Sequence, residues 1–378
     1  MEFQRYKLSQ LITIKNGKDY KHLEEGDVPV FGSGGYMCSV SSYLYDKVSI
    51  LLPRKGTLSN IQYFNNGKFW TVDTCFYSII NESLCNPYYL YRHLRSLDLS
   101  GYDTGASIPS MTQKTYNGIK VMLPSLPAQH RIASILSAYD NLIENNNKRI
   151  RLLEQMAENL YKEWFVRFRF PGHEKTEFEN GLPKGWKYKR ADEVILFNPT
   201  LKVGKQTGYA IIPMEALSTS SMVLDSDCFE IKETISGRRS QNGDTLFAKI
   251  TPCLENGKIG FVMGLPEGEV FGGSTEFIVL RSKTLSPYYV YCTARSYHFR
   301  QTAILSMNGA DGRQRVDEDK LKSYKVVQPA KEDLEKFDRI VSPYFKQILH
   351  LTQENQSLSR QRDLLLPRLM SGKLEVKV

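Results

Sequence analysis

Two short motifs contain residue types that could bind a methyl-donor cofactor or a base. A glycine loop at residues 31–35 reads Phe31-Gly32-Ser33-Gly34-Gly35 and has the composition of loops that hold S-adenosylmethionine. Such a loop should connect a strand to a helix, whereas the residues that follow it here continue in a strand-like pattern. Asn198-Pro199-Thr200 lacks the second proline and the aromatic residue of the amino-methyltransferase motif. We therefore expect a turn at each place.

The acidic residues and histidines do not form a recognisable catalytic group either. Asp225 and Asp227 precede Glu230 and Lys232, but a metal-dependent nuclease needs a further carboxylate from a separate strand. The six histidines are scattered singly, so no nucleophile–base pair is visible. The phosphate-binding pattern GxxxxGK[ST] does not occur. We expect no catalytic residue and no metal site in this chain.

Composition indicates a multidomain protein with a basic surface. The chain has 378 residues, a hydrophobic content of 41% and a formal net charge of +9, which favours two or three domains and a polyanionic partner. The six cysteines include no CxxC pair and are typical of reduced thiols in a cytoplasmic protein. No apolar run approaches membrane-spanning length and no secretory leader precedes the first domain, so we expect no membrane partner.

Two long helices are the elements that must position any binding residues. Residues 128–170 contain neither glycine nor proline. Apolar residues in this stretch alternate four and three apart, which predicts a heptad seam. The seam positions are Ile132, Leu136, Tyr139, Ile143, Asn146, Ile150, Leu153, Ala157, Leu160 and Trp164. At about 1.5 Å per residue the helix would be on the order of 60 Å long. Such a rod requires a partner helix.

The partner is predicted at the other end of the chain. Its seam positions are Phe337, Val341, Tyr344, Ile348, Leu351, Asn355, Leu358, Arg362, Leu365 and Leu369. Each seam has one central asparagine, Asn146 or Asn355, and a lone asparagine in a seam typically sets register. The two asparagines either face each other in an antiparallel pair or are both solvated. Pro343 either kinks the second helix, which we favour, or begins it with Ser342 as N-cap.

The globular parts of the chain repeat one another. Short β-type runs at 9–14, 48–52, 61–64, 69–72 and 76–80 and a helical patch at 87–97 precede the first long helix. Pro87-Tyr88-Tyr89 with Arg95-Ser96 returns as Pro287-Tyr288-Tyr289 with Arg295-Ser296. Residues 171–183 have the composition of a linker. We predict an α+β fold with residues 1–124 and 173–329 as similar mixed α/β domains, and 125–172 and 330–378 as two long antiparallel coiled-coil helices related by an internal pseudo-two-fold duplication.

Two similar domains at the ends of a rod could contact a polyanion at a fixed spacing. Basic and polar loop residues are what phosphate and base-edge contacts require, and they occur at 32–36, 54–60 and 104–113 in the first domain and at 202–209, 236–241, 249–258 and 308–315 in the second. The candidate DNA contacts are Gly34, Tyr36, Arg54, Lys55, Thr57, Asn60, Thr104, Ser107, Lys205, Arg238, Lys249, Thr251, Lys258, Arg313, Gln314 and Arg315. Each of these loops is otherwise an ordinary solvated turn.

Four segments resemble the specificity (S) subunits of type I restriction–modification systems. LPSLPAQHRIASILSAYDNLIENNNKRIRLLEQMAENLYKEWFVRF is similar to the central region of that family, and LLPRKGTLSNIQYFNNGKFWTVDTCFYSI to its first target-recognition domain. NGDTLFAKITPCLENGKIGFV resembles the second such domain, and QRDLLLPRLMSGKLEV the distal region. The lead-in Gln328-Pro329-Ala330-Lys331 departs from the family's commoner wording.

The resemblance implies a non-catalytic subunit that reads a bipartite, asymmetric site in double-stranded DNA. It would carry two methyltransferase (M) subunits, and restriction (R) subunits would join for cleavage. S-adenosylmethionine, ATP and Mg are then expected on those partners, with no cofactor on this chain. Residues beside the first seam are candidates for contacting an M subunit unless the second helix covers them: Ile135, Leu142, Leu152, Met156 and Phe165.

Two other classes of function remain open at this point. A self-contained DNA methyltransferase or nuclease would use the motifs considered first and would act without a partner. A coiled-coil scaffold with no nucleic-acid role would bind its partners independently of salt, whereas phosphate contacts weaken steeply as salt rises.

Overall fold

The computed structural model describes residues 2–102, 109–204, 207–266, 268–309 and 312–376. The chain divides into two compact units, here called unit 1 and unit 2. Unit 1 comprises Met1–Ile143 and Ser357–Val378, and unit 2 comprises Glu144–Gln356. Each unit contains one globular half of the chain together with part of each long helix.

The globular part of unit 1 contains three small sheets and three short helices in its described residues. The elements are β1 (Phe3–Lys7), α1 (Leu8–Leu11), β2 (Ile12–Asn16), β3 (Glu25–Gly32), β4 (Gly35–Val40), β5 (Ser49–Pro53), β6 (Gln62–Phe64), β7 (Trp70–Thr71), β8 (Cys75–Ile80), α2 (Pro87–Arg95), α3 (Gln113–Gly118) and β9 (Lys120–Pro124). One sheet has the strand order β2-β8-β5-β6, another has the order β4-β3-β7, and β1 pairs with β9. Leu8, Leu11, Ile50, Tyr89 and Leu90 are fully buried in the main core of this unit.

One predicted strand of unit 1 is wrong in its first half. Residues 9–14 were expected to be extended, but Leu8–Leu11 form a helical turn before β2 begins at Ile12. Leu8 and Leu11 are three residues apart and both enter the core, and the Gln10 side chain accepts a hydrogen bond from the Lys7 backbone N–H at 2.7 Å. Burial at helical spacing and this local cap favour the turn over a strand.

Unit 2 repeats the topology of unit 1. Along the chain, the long helix α4 (Leu126–Tyr161) comes before its globular elements, which are β10 (Phe178–Glu179), β11 (Leu182–Pro183), β12 (Lys187–Arg190), α5 (Ala191–Val194), β13 (Ile195–Phe197), β14 (Tyr209–Ile212), β15 (Glu230–Lys232), β16 (Thr245–Ala248), β17 (Ile259–Phe261), β18 (Gly272–Gly273), β19 (Phe277–Ser282), α6 (Pro287–Arg295), α7 (Tyr297–Leu305), α8 (Glu318–Lys322) and β20 (Lys325–Gln328). The strand orders are β13-β19-β16-β17 and β15-β14-β18, and β12 pairs with β20.

The repeat extends to individual residues of the two units. Lys7, the last residue of β1, lies opposite Lys120 of β9, and Arg190, the last residue of β12, lies opposite Lys325 of β20. The N-cap of helix α2 is Asn86, whose side chain accepts a hydrogen bond from the Tyr89 N–H. The N-cap of α6 is Ser286, whose side chain accepts one from the Tyr289 N–H. The predicted duplication of a mixed α/β domain is therefore confirmed.

Residues 171–183, whose composition indicated a linker, contain the small β10–β11 hairpin. Leu182 is buried, and just before this stretch Phe170 stacks on Trp186 with the ring centroids 4.8 Å apart. The segment is thus a packed part of unit 2 rather than a free linker.

The long helices are α4 (Leu126–Tyr161), which continues as one π-helical turn at Lys162–Val166, and α9 (Lys331–Met370). In unit 2 they are antiparallel, because Trp164 contacts Phe337 with the ring centroids 6.0 Å apart while Asn146 contacts Asn355. Most of the other predicted seam residues belong to the adjoining cores. Ile132, Leu136, Ile150, Ile348 and Leu351 are buried, and Ile143, Leu153 and Leu358 are half-buried.

The two central asparagines face each other in unit 2. The Asn146 carboxamide donates to Asn355 Oδ1 at 3.1 Å and to Glu354 Oε2 at 3.0 Å. The Asn355 carboxamide in turn donates to Asn147 Oδ1 at 2.9 Å. The paired alternative is confirmed, and Asn146 itself is buried.

Both long helices end earlier than predicted, since α4 and its π-helical turn end at Val166 rather than at residue 172 and α9 ends at Met370 rather than at residue 378. The first helix does not reach residue 170, because Phe168 has a left-handed backbone (φ 57°) and the Arg169 N–H donates back to the Glu163 carbonyl oxygen at 2.7 Å. The second helix does not begin at Pro343, since α9 starts at Lys331 and continues through that proline. Pro343 is exposed, so its ring lies outside the packed seam. A kink at this position stays a prediction.

Among the described helices, none combines the length and the apolar character that a membrane span requires.

Candidate nucleic-acid interface

Three of the loops predicted to bind DNA meet in unit 1. The Asn60 carboxamide donates to the Ser33 carbonyl oxygen at 2.7 Å, which joins loop 54–60 to the turn between β3 and β4. The Gly56 N–H donates to the Pro109 carbonyl oxygen at 2.9 Å, and the Met111 N–H donates to the Arg54 carbonyl oxygen at 3.0 Å. Residues far apart in sequence thus form one loop surface.

This surface exposes aromatic, basic and hydroxyl groups. Tyr36 is 64% exposed at the β3–β4 turn, next to the exposed Gly34. Arg54, Lys55 and Thr57 are also exposed. Asn60 has a structural role, because its side-chain amide stabilises the turn between β3 and β4. Gln62 has the same task and was missed by the sequence analysis: its side-chain amide donates to the Gly32 carbonyl oxygen at 3.0 Å.

The candidate loops of unit 2 also meet. The Arg238 N–H donates to the Gly273 carbonyl oxygen at 3.0 Å, and the Arg239 guanidinium reaches back to the Leu201 carbonyl oxygen at 2.6 Å. The Thr251 N–H donates to the Gln314 carbonyl oxygen at 3.1 Å. Loops 249–258 and 308–315 are thus joined directly, and loop 236–241 contacts Leu201, the residue before loop 202–209.

Two carboxylates that the sequence analysis missed lie among the basic residues of this site. Glu318 accepts from the Asn198 carboxamide at 2.8 Å, and its Oε1 lies 3.5 Å from both Arg238 Nη2 and Lys249 Nζ. Glu276 forms a two-pronged ion pair with Arg315. A hydrogen bond from Arg315 is the main cause that holds the pKa of Glu276 below its usual value. Nothing local in the sequence marks either carboxylate, since their partners lie 39 to 120 positions away by residue number.

Three candidate residues of unit 2 differ in their surroundings. Arg313 is exposed and Gln314 is half-buried. Lys258 does not contact Glu276 or Glu318. Its ammonium donates to the Met214 carbonyl oxygen at 3.0 Å, and the residue lines a small cavity together with Arg295 and Arg300. Thr104, Ser107 and Lys205 lie outside the described residues. The role of every candidate as a DNA contact stays a prediction.

The motifs first considered for catalysis have ordinary structural surroundings. The glycine loop is a turn between antiparallel strands β3 and β4, and Asn198 accepts from the Val279 N–H at 2.9 Å. Glu230 forms an exposed ion pair with Lys232 at 2.8 Å. Within the described ranges, no group of three or more His, Cys, Asp or Glu side chains is arranged to hold a metal ion.

The residues beside the first seam fall into two groups. Leu142, Leu152 and Met156 are about half exposed, and Ile135 is half-buried against the core of unit 1. Phe165 was predicted to contact a partner protein, and this is wrong for the described fold. It is buried in unit 2, with ring centroids 4.7 Å from Tyr289 and 5.0 Å from Phe337. The π-helical turn at Lys162–Val166 carries Phe165 into this core.

Comparisons with known proteins find similarity to the specificity subunits of type I restriction enzymes. The model of the type I restriction modification DNA specificity domain matches residues 1–155. The MjaIX specificity subunit of Methanocaldococcus jannaschii is 24% identical over 95% of this chain and 84% of its own length. The EcoEI specificity subunit of Escherichia coli is 30% identical over 47% of this chain and 30% of its own.

A solved structure shares the fold. The S subunit of a type I restriction-modification system from M. genitalium has a TM-score of 0.61 and 14% sequence identity, over 98% of this chain and 96% of that chain. At this identity the likeness concerns the fold, and it covers both globular halves and both long helices.

Proposed function

We propose that this chain is a specificity subunit of a type I restriction–modification system, the non-catalytic subunit that chooses the DNA sequence on which such a complex acts. The observation that carries the proposal is the repeat. One topology occurs twice, while the side chains of the candidate loops differ between the units, with Tyr36, Arg54 and Lys55 in unit 1 and Arg238, Lys249 and Arg315 in unit 2. A repeated framework with different loop residues suits the recognition of two different half-sites.

The loops would contact DNA in two ways. Lysine and arginine side chains neutralise phosphates, which supplies affinity for any sequence. Arginine, asparagine and glutamine side chains that reach the major groove distinguish base pairs. The clustered loops of each unit offer both kinds of group, and the formal net charge of +9 favours a polyanion.

The chemistry of the complex would belong to its partners. Two M subunits would bind S-adenosylmethionine and methylate adenine, and R subunits with ATP and Mg would cleave. The half-exposed Leu152 and Met156, which lie one helical turn apart on α4 in unit 2, suit contact with a partner protein. This chain would act from the bacterial or archaeal cytoplasm, where the DNA is.

Mapping of methylated adenines tests the proposal. The chain is co-expressed with its M subunit in a host without other adenine methylation, and methylated positions are read by sequencing. We expect a bipartite motif, and we expect Arg313→Ala with Gln314→Ala to relax base choice in one half only. Arg54→Ala with Lys55→Ala is the matched change in unit 1 and should affect the other half.

Three results would contradict the proposal. Methyl transfer or cleavage by the purified chain alone would make it an enzyme. DNA binding that does not weaken as salt rises would argue against phosphate contacts. If the methylated motif stays unchanged after substitutions in both units, the loops do not recognise the target bases.

A further inference from the structure

The ion pair between Arg315 and Glu276 has the geometry of a fixed fork. Arg315 Nε lies 2.9 Å from Glu276 Oε2, and Arg315 Nη2 lies 2.7 Å from Glu276 Oε1. Two parallel contacts of this kind orient the guanidinium plane as well as attracting its charge. By contrast, Arg238 and Lys249 each approach Glu318 through a single contact of 3.5 Å, which fixes no orientation.

The backbones of both partners are held in place. Arg315 and Asn308 exchange two backbone hydrogen bonds of 2.9 Å, and the next residue, Val316, donates to the Lys249 carbonyl oxygen at 2.9 Å. The Lys249 N–H donates to the Glu276 carbonyl oxygen at 3.0 Å. Lys249 therefore links the two segments, and the Arg315 side chain starts from a defined position.

The pair is also open to a ligand. The Arg315 side chain is 51% exposed and that of Glu276 is 24% exposed. An exposed ion pair adds little to folding stability, so stability alone gives a weak reason for this arrangement. A guanidinium that gives its Nε and Nη2 donors to one carboxylate still has the edge formed by Nη1 and Nη2 for a second two-pronged acceptor.

Guanine is the acceptor that fits such an edge in DNA. Its O6 and N7 atoms lie side by side in the major groove and accept two parallel N–H donors from arginine. Phosphate also accepts two donors, but it is present at every step of the duplex. Binding to phosphate depends on positive charge rather than on a fixed orientation of the guanidinium. A guanidinium held by a carboxylate has lost its rotational freedom before binding, which favours a geometrically demanding acceptor.

We propose that Glu276 is a positioning residue for specificity: it holds Arg315 so that the free edge of the guanidinium pairs with one guanine in the half-site bound by unit 2. The inference rests on the proposed function and adds to it a base, a reading residue and the residue that orients it. Arg238 and Lys249 then serve as phosphate contacts, which affect all sequences alike.

The experiment uses the full chain in complex with its M subunits. Once the target has been mapped, binding is measured on duplexes that carry each of the four base pairs at each target position. The variants are Arg315→Ala, Glu276→Gln and both together. Asp192→Asn is the matched control, because Asp192 forms a similar exposed fork with Arg190, with contacts of 3.1 and 2.8 Å, on elements of unit 2 outside the loop cluster.

We expect Arg315→Ala to reduce the preference for guanine at one position by about 5- to 150-fold, the range of one two-pronged base contact. Glu276→Gln should reduce the preference at that same position and should have no further effect when Arg315 is already alanine. Removal of the negative charge will also raise affinity for all duplexes alike, so the ratio between sequences is the quantity compared. Asp192→Asn should leave every ratio unchanged.

Several results would overturn the inference. Glu276→Gln with unchanged ratios, with equal changes at all positions, or with an effect that adds to that of Arg315→Ala would each do so. In all three cases a wild-type complex that still prefers its target leaves the proposed function intact. A wild-type complex that prefers no duplex would overturn both.

Discussion

Glu154 is a buried carboxylate on α4 that attaches this helix to a loop of unit 2. Its Oε1 atom accepts both from the Ser221 hydroxyl at 2.7 Å and from the Met222 N–H at 2.8 Å. Burial raises the pKa of Glu154 above its usual value, against the opposing effects of these hydrogen bonds and of Arg295. The residue interrupts the apolar surface of the helix because a backbone N–H at Met222 requires an acceptor.

This environment predicts a pH-dependent effect of Glu154→Gln. A glutamine Oε1 can accept both hydrogen bonds without a charge. In the wild type the folded state keeps the proton to higher pH than the unfolded state does, so stability falls as pH rises from the unfolded pKa of about 4.3 through the raised folded pKa. As the pH rises through that window, the free energy of unfolding of Glu154→Gln should therefore increase relative to that of the wild type. Above the window the difference between the two should stay constant. Urea unfolding between pH 4 and pH 8 measures this difference.

Glu154→Ala is the companion variant. It leaves the Met222 N–H without its acceptor and should lower the free energy of unfolding by about 1–3 kcal/mol at neutral pH. A glutamine variant as unstable as the alanine variant would contradict the importance of the acceptor, and parallel pH curves for glutamine and wild type would contradict the raised pKa.

Polar residues in unit 2 control the register of the paired helices. Asn146 and Asn355 place a hydrogen-bonded contact in an otherwise apolar seam. A polar pair of this kind disfavours alternative registers, because a shifted helix would bury a carboxamide without a partner. Trp164 against Phe337 then defines the apolar packing toward the end of α4.

Substitution of both asparagines should separate stability from register. We predict that Asn146→Leu with Asn355→Leu raises the free energy of unfolding of unit 2 by roughly 1–2 kcal/mol, since both polar partners are replaced by apolar groups. Asn146→Leu alone should lower it, because Asn355 and Glu354 lose a donor. Thermal unfolding measures stability, and light scattering detects additional associated species expected of the double variant.

Asn145→Ala is the control, since Asn145 is an exposed neighbour and its replacement should change neither quantity. A double variant that is less stable than the single one would show that the asparagine pair contributes net stability rather than register.

At the scale of the whole molecule, α4 and α9 each contribute residues to both units. If the two units bind two half-sites, the length of these helices should set the number of base pairs between them. This expectation belongs to the proposed function. It is independent of which bases are read.

Insertion of one heptad into each helix at the level of Asn146 and Asn355 tests it. Seven residues add about 10 Å, which corresponds to about three base pairs at 3.4 Å each. We predict that the gap between the two halves of the methylated motif lengthens by that amount while the bases in each half stay the same. The same seven residues inserted after the exposed Asn66 should leave the gap unaltered. An unaltered gap in the helix variant as well would refute the spacer role.

The sequence by itself determined the helices, the repeat and the loops worth testing. Heptad spacing is a local property, so Leu136, Asn146 and Ile348 were placed in the seam from their spacing alone. The duplication was visible because Pro87-Tyr88-Tyr89 and Pro287-Tyr288-Tyr289 retain both their order and their helix caps. Errors occurred where local signals conflict, as at Leu8–Leu11, where a helical turn occupies an apolar run of strand length.

Only the tertiary structure decided which charges meet. Arg315 and Glu276 are 39 positions apart, and their pairing follows from hydrogen bonds between loops on separate strands. Phe165 likewise left the predicted surface because a π-helical turn rotated it into the core. Contacts of this kind depend on how distant segments pack, and that packing is set by the summed burial of many side chains rather than by any periodicity along the chain.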